Sequence, residues 1–197
     1  MSPVRKKQEQ KKITEHTVDS LYKEYAEEMF AYALGFKVDR EMAMDAVHDV
    51  FYRLCTYDSK GLSIENYRFY LFRALRNQII DIYKKNRCDD MEELNDRKLD
   101  KLPYRVRVSM EDEMIVREER IEIIQKVEEL LDSLNSRQRE MIYLYFIQEC
   151  SYEEISGIMG ISVASCRKSV YRTLKRLKEE NKLILFYLLL SINVSSL

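Results

Sequence analysis

Tryptophan is absent from this chain, and glycine and proline are scarce, at four and two in 197 residues. Folds that depend on glycine-rich loops or frequent tight turns, such as the nucleotide-binding α/β folds and β-sandwiches, are therefore disfavoured. Histidine occurs twice, as His16 and His48, and the four cysteines, Cys55, Cys88, Cys150 and Cys166, include no C-x-x-C pair. That spacing excludes the usual zinc frameworks and points to free, mostly buried thiols in a reducing compartment, hence the cytoplasm. Long apolar runs are also missing, with one exception at Leu183–Leu190. Even extended to Val194 it falls short of the roughly 20 residues a membrane-spanning helix needs, so no stable membrane insertion is expected. Met1–Lys12 carries five basic residues with no apolar stretch behind them and is not expected to be a secretory signal.

What is present suits helices. Hydrophobic residues make up 46% and charged residues 34% of a length that accommodates one to two domains. The formal net charge of −1 hides a segregation. Residues 1–87 hold 16 Lys/Arg against 13 Asp/Glu, residues 88–135 hold 8 against 15, and residues 136–197 hold 9 against 6. Two cationic ends flank an anionic middle, as expected of a chain whose ends touch a polyanion.

Helical patterning begins at Ser20, and Gly35 with residues 37–39 reads as the first turn. A second helix is expected from Arg40 to about Thr56, with Ala46, Val50 and Leu54 facing inward and Asp45, His48, Asp49 and Tyr52 projecting elsewhere. Tyr57–Ser63, with Gly61, reads as a loop. A third helix is expected from about Ile64 to Asn86, with Leu71, Leu75, Ile79 and Ile82 inside and Arg73, Asn77 and Lys84 outside. From Cys88 to about Glu113 no period holds and acidic residues accumulate around Pro103, the mark of a linker. Periodicity returns with Ile121, Ile124, Val127, Leu131 and Leu134, and Asn135 or Ser136 caps the helix that follows. The expected fold is all-α: two small helical domains joined by an acidic linker.

The most specific local pattern lies in 151–172. Ser151 and Glu154 have the spacing of a capping box, Gly160 supplies a tight turn, and Ser162 caps a second helix with Cys166, Val170, Leu174 and Leu177 on its inner side. This is a helix-turn-helix. Ser165, Lys168 and Arg172 lie opposite the inner stripe with Arg167 and Tyr171 beside them, where a helix in the DNA major groove presents its base-reading side chains. Ser162 suits a cap and phosphate contact.

Both halves together resemble a known family. Ser136-Arg-Gln-Arg-Glu-Met, Ser151-Tyr-Glu-Glu-Ile and Gly160-Ile-Ser-Val-Ala-Ser look like the C-terminal promoter-binding domain of bacterial sigma factors. Met44-Asp-Ala-Val-His-Asp-Val-Phe-Tyr-Arg-Leu54 resembles their polymerase-binding helix, and Asn66–Arg87, with Arg76-Asn77 and Asp81-Ile-Tyr-Lys-Lys-Asn-Arg87, their promoter-melting helix. The order, the acidic linker and the lack of a middle domain are similar to the extracytoplasmic-function (ECF) subfamily. The resemblance implies a basic tail at 1–19, a polymerase-binding and melting domain at 20–87, a linker at 88–115, a helix-turn-helix domain at 116–180 and a hydrophobic tail at 181–197.

It also implies partners and roles. Core RNA polymerase would be met by Asp45, His48, Asp49 and Tyr52, although His48 stands where relatives often have Gln. Promoter DNA would be met at the downstream element by the loop from Tyr57 to Asn66 and by Arg73, Arg76, Asn77, Lys84 and Lys85, with Arg76 alternatively a structural ion-pair residue. The upstream, minus-thirty-five element would be met by Ser162, Ser165, Arg167, Lys168, Tyr171 and Arg172. An anti-sigma factor is the further partner implied. No cofactor, metal or catalytic constellation is expected, because neither histidine has a nucleophile pattern near it and no glycine-rich phosphate loop exists.

Two other readings have something in their favour. A helix-turn-helix regulator acting on duplex DNA alone would need the C-terminal pattern but not the block from Asp45 to Arg87. A membrane-associated adaptor would use the tail at Leu183–Leu190, yet no basic amphipathic helix accompanies it. The tail is expected to fold back on the C-terminal bundle, with docking to another protein or reversible membrane contact as the other ways to cover it.

Overall fold

The computed structural model describes residues 15–58, 64, 66–85, 102–106, 129 and 131–180, with the side chains at 15–17, 57, 58 and 178–180 not among them. Among the described residues there are six α-helices and no strand. These are α1 (Glu15–Gly35), α2 (Arg40–Asp58), α3 (Tyr67–Lys85), α4 (Ser136–Ile142), α5 (Tyr152–Met159) and α6 (Val163–Glu180). A π-helical turn, Tyr143–Ile147, continues α4. The hydrophobic tail, most of the linker and the apolar repeat at Ile121, Ile124 and Val127 lie outside the described residues.

α1, α2 and α3 pack around the inward stripes expected of them: Ala46, Val50 and Leu54 of α2 and Leu71, Leu75 and Ile79 of α3 are buried, and Ile82 is half-buried. The turn between α1 and α2 differs from expectation. Gly35 ends α1, and the left-handed residue is Lys37 at φ 58°. Asp39 then caps α2, its Oδ1 accepting from the Met42 N–H at 2.7 Å. Gly35 has a different use: a Cβ there would stand 2.5 Å from the ring of Tyr104. The helix ends bare so that an aromatic ring can lie on it.

Tyr104 comes from the acidic segment, and it is 1% exposed. Its ring meets Phe36, Tyr32 and Tyr143 at centroid distances of 4.8, 5.8 and 5.7 Å. The Arg105 N–H donates to the Gly35 carbonyl at 2.7 Å, and the Arg139 Nε donates to the Tyr104 carbonyl at 2.8 Å. Residues 102–106 therefore join the core as a strap between the helices of the two halves.

The second bend is built from short-range signals. Asn135 caps α4 in a full capping box with Gln138, and Ser151 caps α5 in another with Glu154. After the π-helical turn the chain reverses through Glu149 at φ 47°, and the Cys150 N–H donates to the Leu144 carbonyl at 2.9 Å. Gly160 ends α5 in the left-handed conformation at φ 67°. Cys166, Val170 and Leu177 of α6 face inward as expected, while Leu174 is half-buried and Thr173 is buried instead.

Candidate nucleic-acid interface

Three sets of side chains were expected to carry function, and each finds a definite place. On α2, Asp45, His48, Asp49 and Tyr52 are all exposed, Tyr52 at 71%. His48 and Asp49 are held by neighbouring side chains. The Tyr22 hydroxyl lies 3.1 Å from His48 Nε2 and its ring stacks on the imidazole, while Gln78 Nε2 donates to Asp49 Oδ2 at 2.7 Å and Gln78 Oε1 accepts from Arg53 Nη2 at 2.5 Å. The face is polar and anionic, carried on a helix whose opposite side is fully packed.

On α3 the set divides. Arg73, Asn77, Lys84 and Lys85 are exposed, with Lys84 3.8 Å from Asp81 and the Arg73 guanidinium over the Phe69 ring at 5.8 Å. Arg76 departs from the expected surface contact. It is buried, and its Nε donates to Glu140 Oε1 of α4 at 2.7 Å. The same carboxylate oxygen accepts from the Tyr32 hydroxyl at 2.7 Å. A charge in so poorly solvated a place must be paired and hydrogen-bonded to persist, and the position between α3 and α4 supplies both. Of the two roles open to Arg76, the geometry is that of the ion pair.

Burial and the Glu140 charge push the Tyr32 hydroxyl well above its ordinary pKa, so it stays a proton donor to that carboxylate. Neighbouring contacts extend the seam. Asn66 Nδ2 donates to Glu154 Oε1 at 2.6 Å, Arg68 Nη2 reaches Gln148 Oε1 at 3.4 Å, and a Cβ at Gly157 of α5 would stand 2.7 Å from the Phe69 ring. Asn66 also caps α3, its Oδ1 accepting from the Phe69 N–H at 2.9 Å. The side chain of Tyr57 and residues 59–63 of the expected loop lie outside the described residues.

On α6, Ser162, Ser165, Arg167, Lys168, Tyr171 and Arg172 are exposed, Tyr171 at 67%. Ser162 caps the helix through the Ser165 N–H at 3.2 Å and hydrogen-bonds the Ser165 hydroxyl at 2.8 Å. Arg167 bonds back to Glu153 of α5. Partial burial alone would raise the Glu154 carboxyl, but the Ser151 N–H and hydroxyl, Asn66 and Arg68 outweigh it and hold the group below its usual range. The first helix of the helix-turn-helix is thus anchored at its N-terminus and to the other half of the chain.

Glu140, Gln148 and Tyr104 were not singled out in the sequence, and their partners lie 64, 80 and 35 residues away. A signal existed for Glu140, because it precedes buried Leu144 by one helical turn and so falls on an apolar stripe. Among the described residues no cluster of His, Cys, Asp and Glu could hold a metal ion. No helix among them is long and apolar enough to cross a membrane.

Comparison with known proteins finds likenesses in both halves of the chain. Residues 124–177 match the family model described as Sigma-70, region 4, which covers α4 to α6. The chain is 25% identical over 175 residues to the ECF RNA polymerase sigma factor SigM of Bacillus subtilis, covering 82% of this chain and 93% of that one. It is 24% identical over 172 residues to SigX of the same organism, covering 86% of each. These likenesses run over most of the chain and support an ECF sigma factor. A further relative is the ferric citrate uptake sigma factor FecI of Escherichia coli, 26% identical over 133 residues, 68% of this chain and 72% of that one.

Solved structures share the fold. CnrH in complex with the cytosolic domain of CnrY superposes with a TM-score of 0.53 at 19% identity, covering 84% of this chain and 88% of that one. The sigma factor RpoE of Bartonella quintana, in complex with the anti-sigma factor NepR, gives 0.54 at 20% identity, covering 82% and 94%. The relatives align across both halves of the chain, so the likeness extends beyond the helix-turn-helix.

Proposed function

We propose that this sigma factor binds core RNA polymerase through Asp45, His48, Asp49 and Tyr52 and directs promoter recognition, melting and initiation with its remaining exposed sets. The observation that carries the reading is the pairing of an exposed anionic helix face on α2 with an exposed cationic helix-turn-helix face on α6, both in a chain that aligns with sigma factors over more than four-fifths of its length. A DNA-binding regulator needs only the second face.

The exposed Arg73, Asn77, Lys84 and Lys85 serve the downstream element and the melted strand, where cationic side chains meet phosphates and a stacked or flipped base. Asn66 joins them by exchanging Glu154 for DNA. Ser162, Ser165, Arg167, Lys168, Tyr171 and Arg172 serve the upstream element, the serines toward phosphate and the cations toward base edges. The domains run over 20–87 and 116–180, with the acidic segment 88–115 between them. Polymerase supplies the chemistry, so the chain is not an enzyme, and it acts where polymerase acts, in the cytoplasm. An anti-sigma factor is the regulating partner.

Reversing the charge of Asp45 and Asp49 to Lys together should abolish co-purification with core polymerase while helicity measured by circular dichroism stays unchanged. Undiminished co-purification would remove the α2 assignment.

A further inference from the structure

Arg167 differs from Lys168 and Arg172 on the same face of α6 in being held by its own domain. Its Nη2 donates to Glu153 Oε1 at 2.9 Å, and its guanidinium lies 5.5 Å over the ring of Tyr152. Tyr152 is in turn stacked on Tyr145 of the π-helical turn, with ring centroids 5.2 Å apart and planes 17° from parallel, and their hydroxyls are 3.5 Å apart. Tyr145 meets Phe146 edge-on at 4.9 Å. The result is a stack built outward from half-buried rings to one guanidinium. Among the described residues Lys168 and Arg172 make no ion pair or ring contact of this kind.

Both ends of the ion pair are about three-fifths exposed, at 60% and 61% of their side chains. An exposed pair contributes little to folding stability, so stability is a poor account of it. Orientation is a better one. A guanidinium flanked by a carboxylate and a flat ring has few rotamers left, and ordering it on binding costs correspondingly less. One Nη2 hydrogen is engaged by Glu153. The second, with those of Nη1, leaves a two-pronged edge that matches O6 and N7 of a guanine.

We infer that Glu153, with Tyr152 behind it, is a positioning residue that sets base preference at the upstream element by fixing the guanidinium of Arg167 for one guanine. The inference rests on the reading of α6 as the promoter-recognition helix. Glu153 acts through Arg167, and as an anion near DNA it gives nothing to general affinity.

The test uses the whole chain with core polymerase on promoters in which each upstream base pair is varied, scoring run-off transcript per sequence. Wild type should prefer guanine at one position, and Arg167→Ala should flatten that position alone. Glu153→Gln should weaken the same preference by about 2- to 10-fold and leave other positions unchanged. Glu153→Asp should restore part of it, and Glu153→Gln combined with Arg167→Ala should be no flatter than Arg167→Ala. If Arg167→Ala flattens the position and Glu153→Gln leaves it intact, or strengthens transcription equally on every sequence, Glu153 is not positioning Arg167 and the inference is overturned. If no upstream base pair matters even to wild type, the reading of α6 itself fails, and the inference with it.

Discussion

Glu140 carries more of this fold than any sequence pattern announces. Its carboxylate is shared by the Arg76 guanidinium and the Tyr32 hydroxyl in a place where side chains of the ion pair are 7% and 4% exposed. Removing one partner of such a pair leaves the other charge buried, which costs about 3–5 kcal/mol. Glu140→Ala should therefore lower stability in urea unfolding by about that amount, whereas Glu153→Ala, at an exposed pair, should change it by no more than about 1 kcal/mol. Similar losses for both would place Glu140 at the surface. The two glycines under aromatic rings separate in the same way. Tyr104 over Gly35 is walled in by three other rings and cannot swing aside, so Gly35→Ala should destabilise by about 1–3 kcal/mol. Phe69 over Gly157 is half-buried, its ring can turn, and alanine adds up to about 1 kcal/mol of helix propensity. Gly157→Ala should accordingly cost less than Gly35→Ala in the same thermal melt, and the reverse order would contradict this packing.

At the scale of elements, the parts that could be read in the sequence are those whose partners are three to four residues apart. The capping box of Ser151 and Glu154, the Gly160 turn and the inner stripe through Cys166, Val170 and Leu177 are all local, and all stand as read. What the sequence withheld is of two kinds. A π-helical turn is a slip of register that no 3.6-residue period signals, and the path of 102–106 looked patternless because a strap of one buried tyrosine, one backbone hydrogen bond and one arginine bond to a backbone carbonyl has no period. The ends of α2 and α3 also moved, to Asp58 and Tyr67, since helix termini depend on caps such as Asn66 more than on apolar spacing.

The α5 cap carries a pH prediction. Glu154 has a folded pKa below the ordinary carboxylate range, so its contribution to stability is present above the unfolded value and is lost as pH falls through the folded one. Acid titration of urea stability should thus fall less steeply below about pH 4.5 for Glu154→Gln than for wild type. Identical slopes would mean that the Ser151 and Asn66 bonds do not hold the charged form.

For the whole molecule, the two halves expected as separate bundles share a continuous core in the described residues, with Tyr32, Tyr104 and Tyr143 at its centre. The surfaces left outside that seam are the ones proposed to meet partners: the anionic face of α2, Arg73, Lys84 and Lys85 of α3, and the exposed cationic face of α6. This division explains why the function was more legible than the tertiary arrangement. Exposed sets follow from residue type and helix phase, whereas the seam is made of long-range pairs such as Arg76 with Glu140 and Asn66 with Glu154. The central claim is that the chain confers promoter selection on a polymerase that lacks it. Its most direct test is transcription in vitro with purified core polymerase on a library of promoter-length fragments, mapping transcript 5′ ends with and without this protein. The account predicts starts that appear only when the protein is added and that share one upstream and one downstream element at a fixed spacing. Starts unchanged by the protein, together with tight binding to duplex DNA in the absence of polymerase, would contradict it.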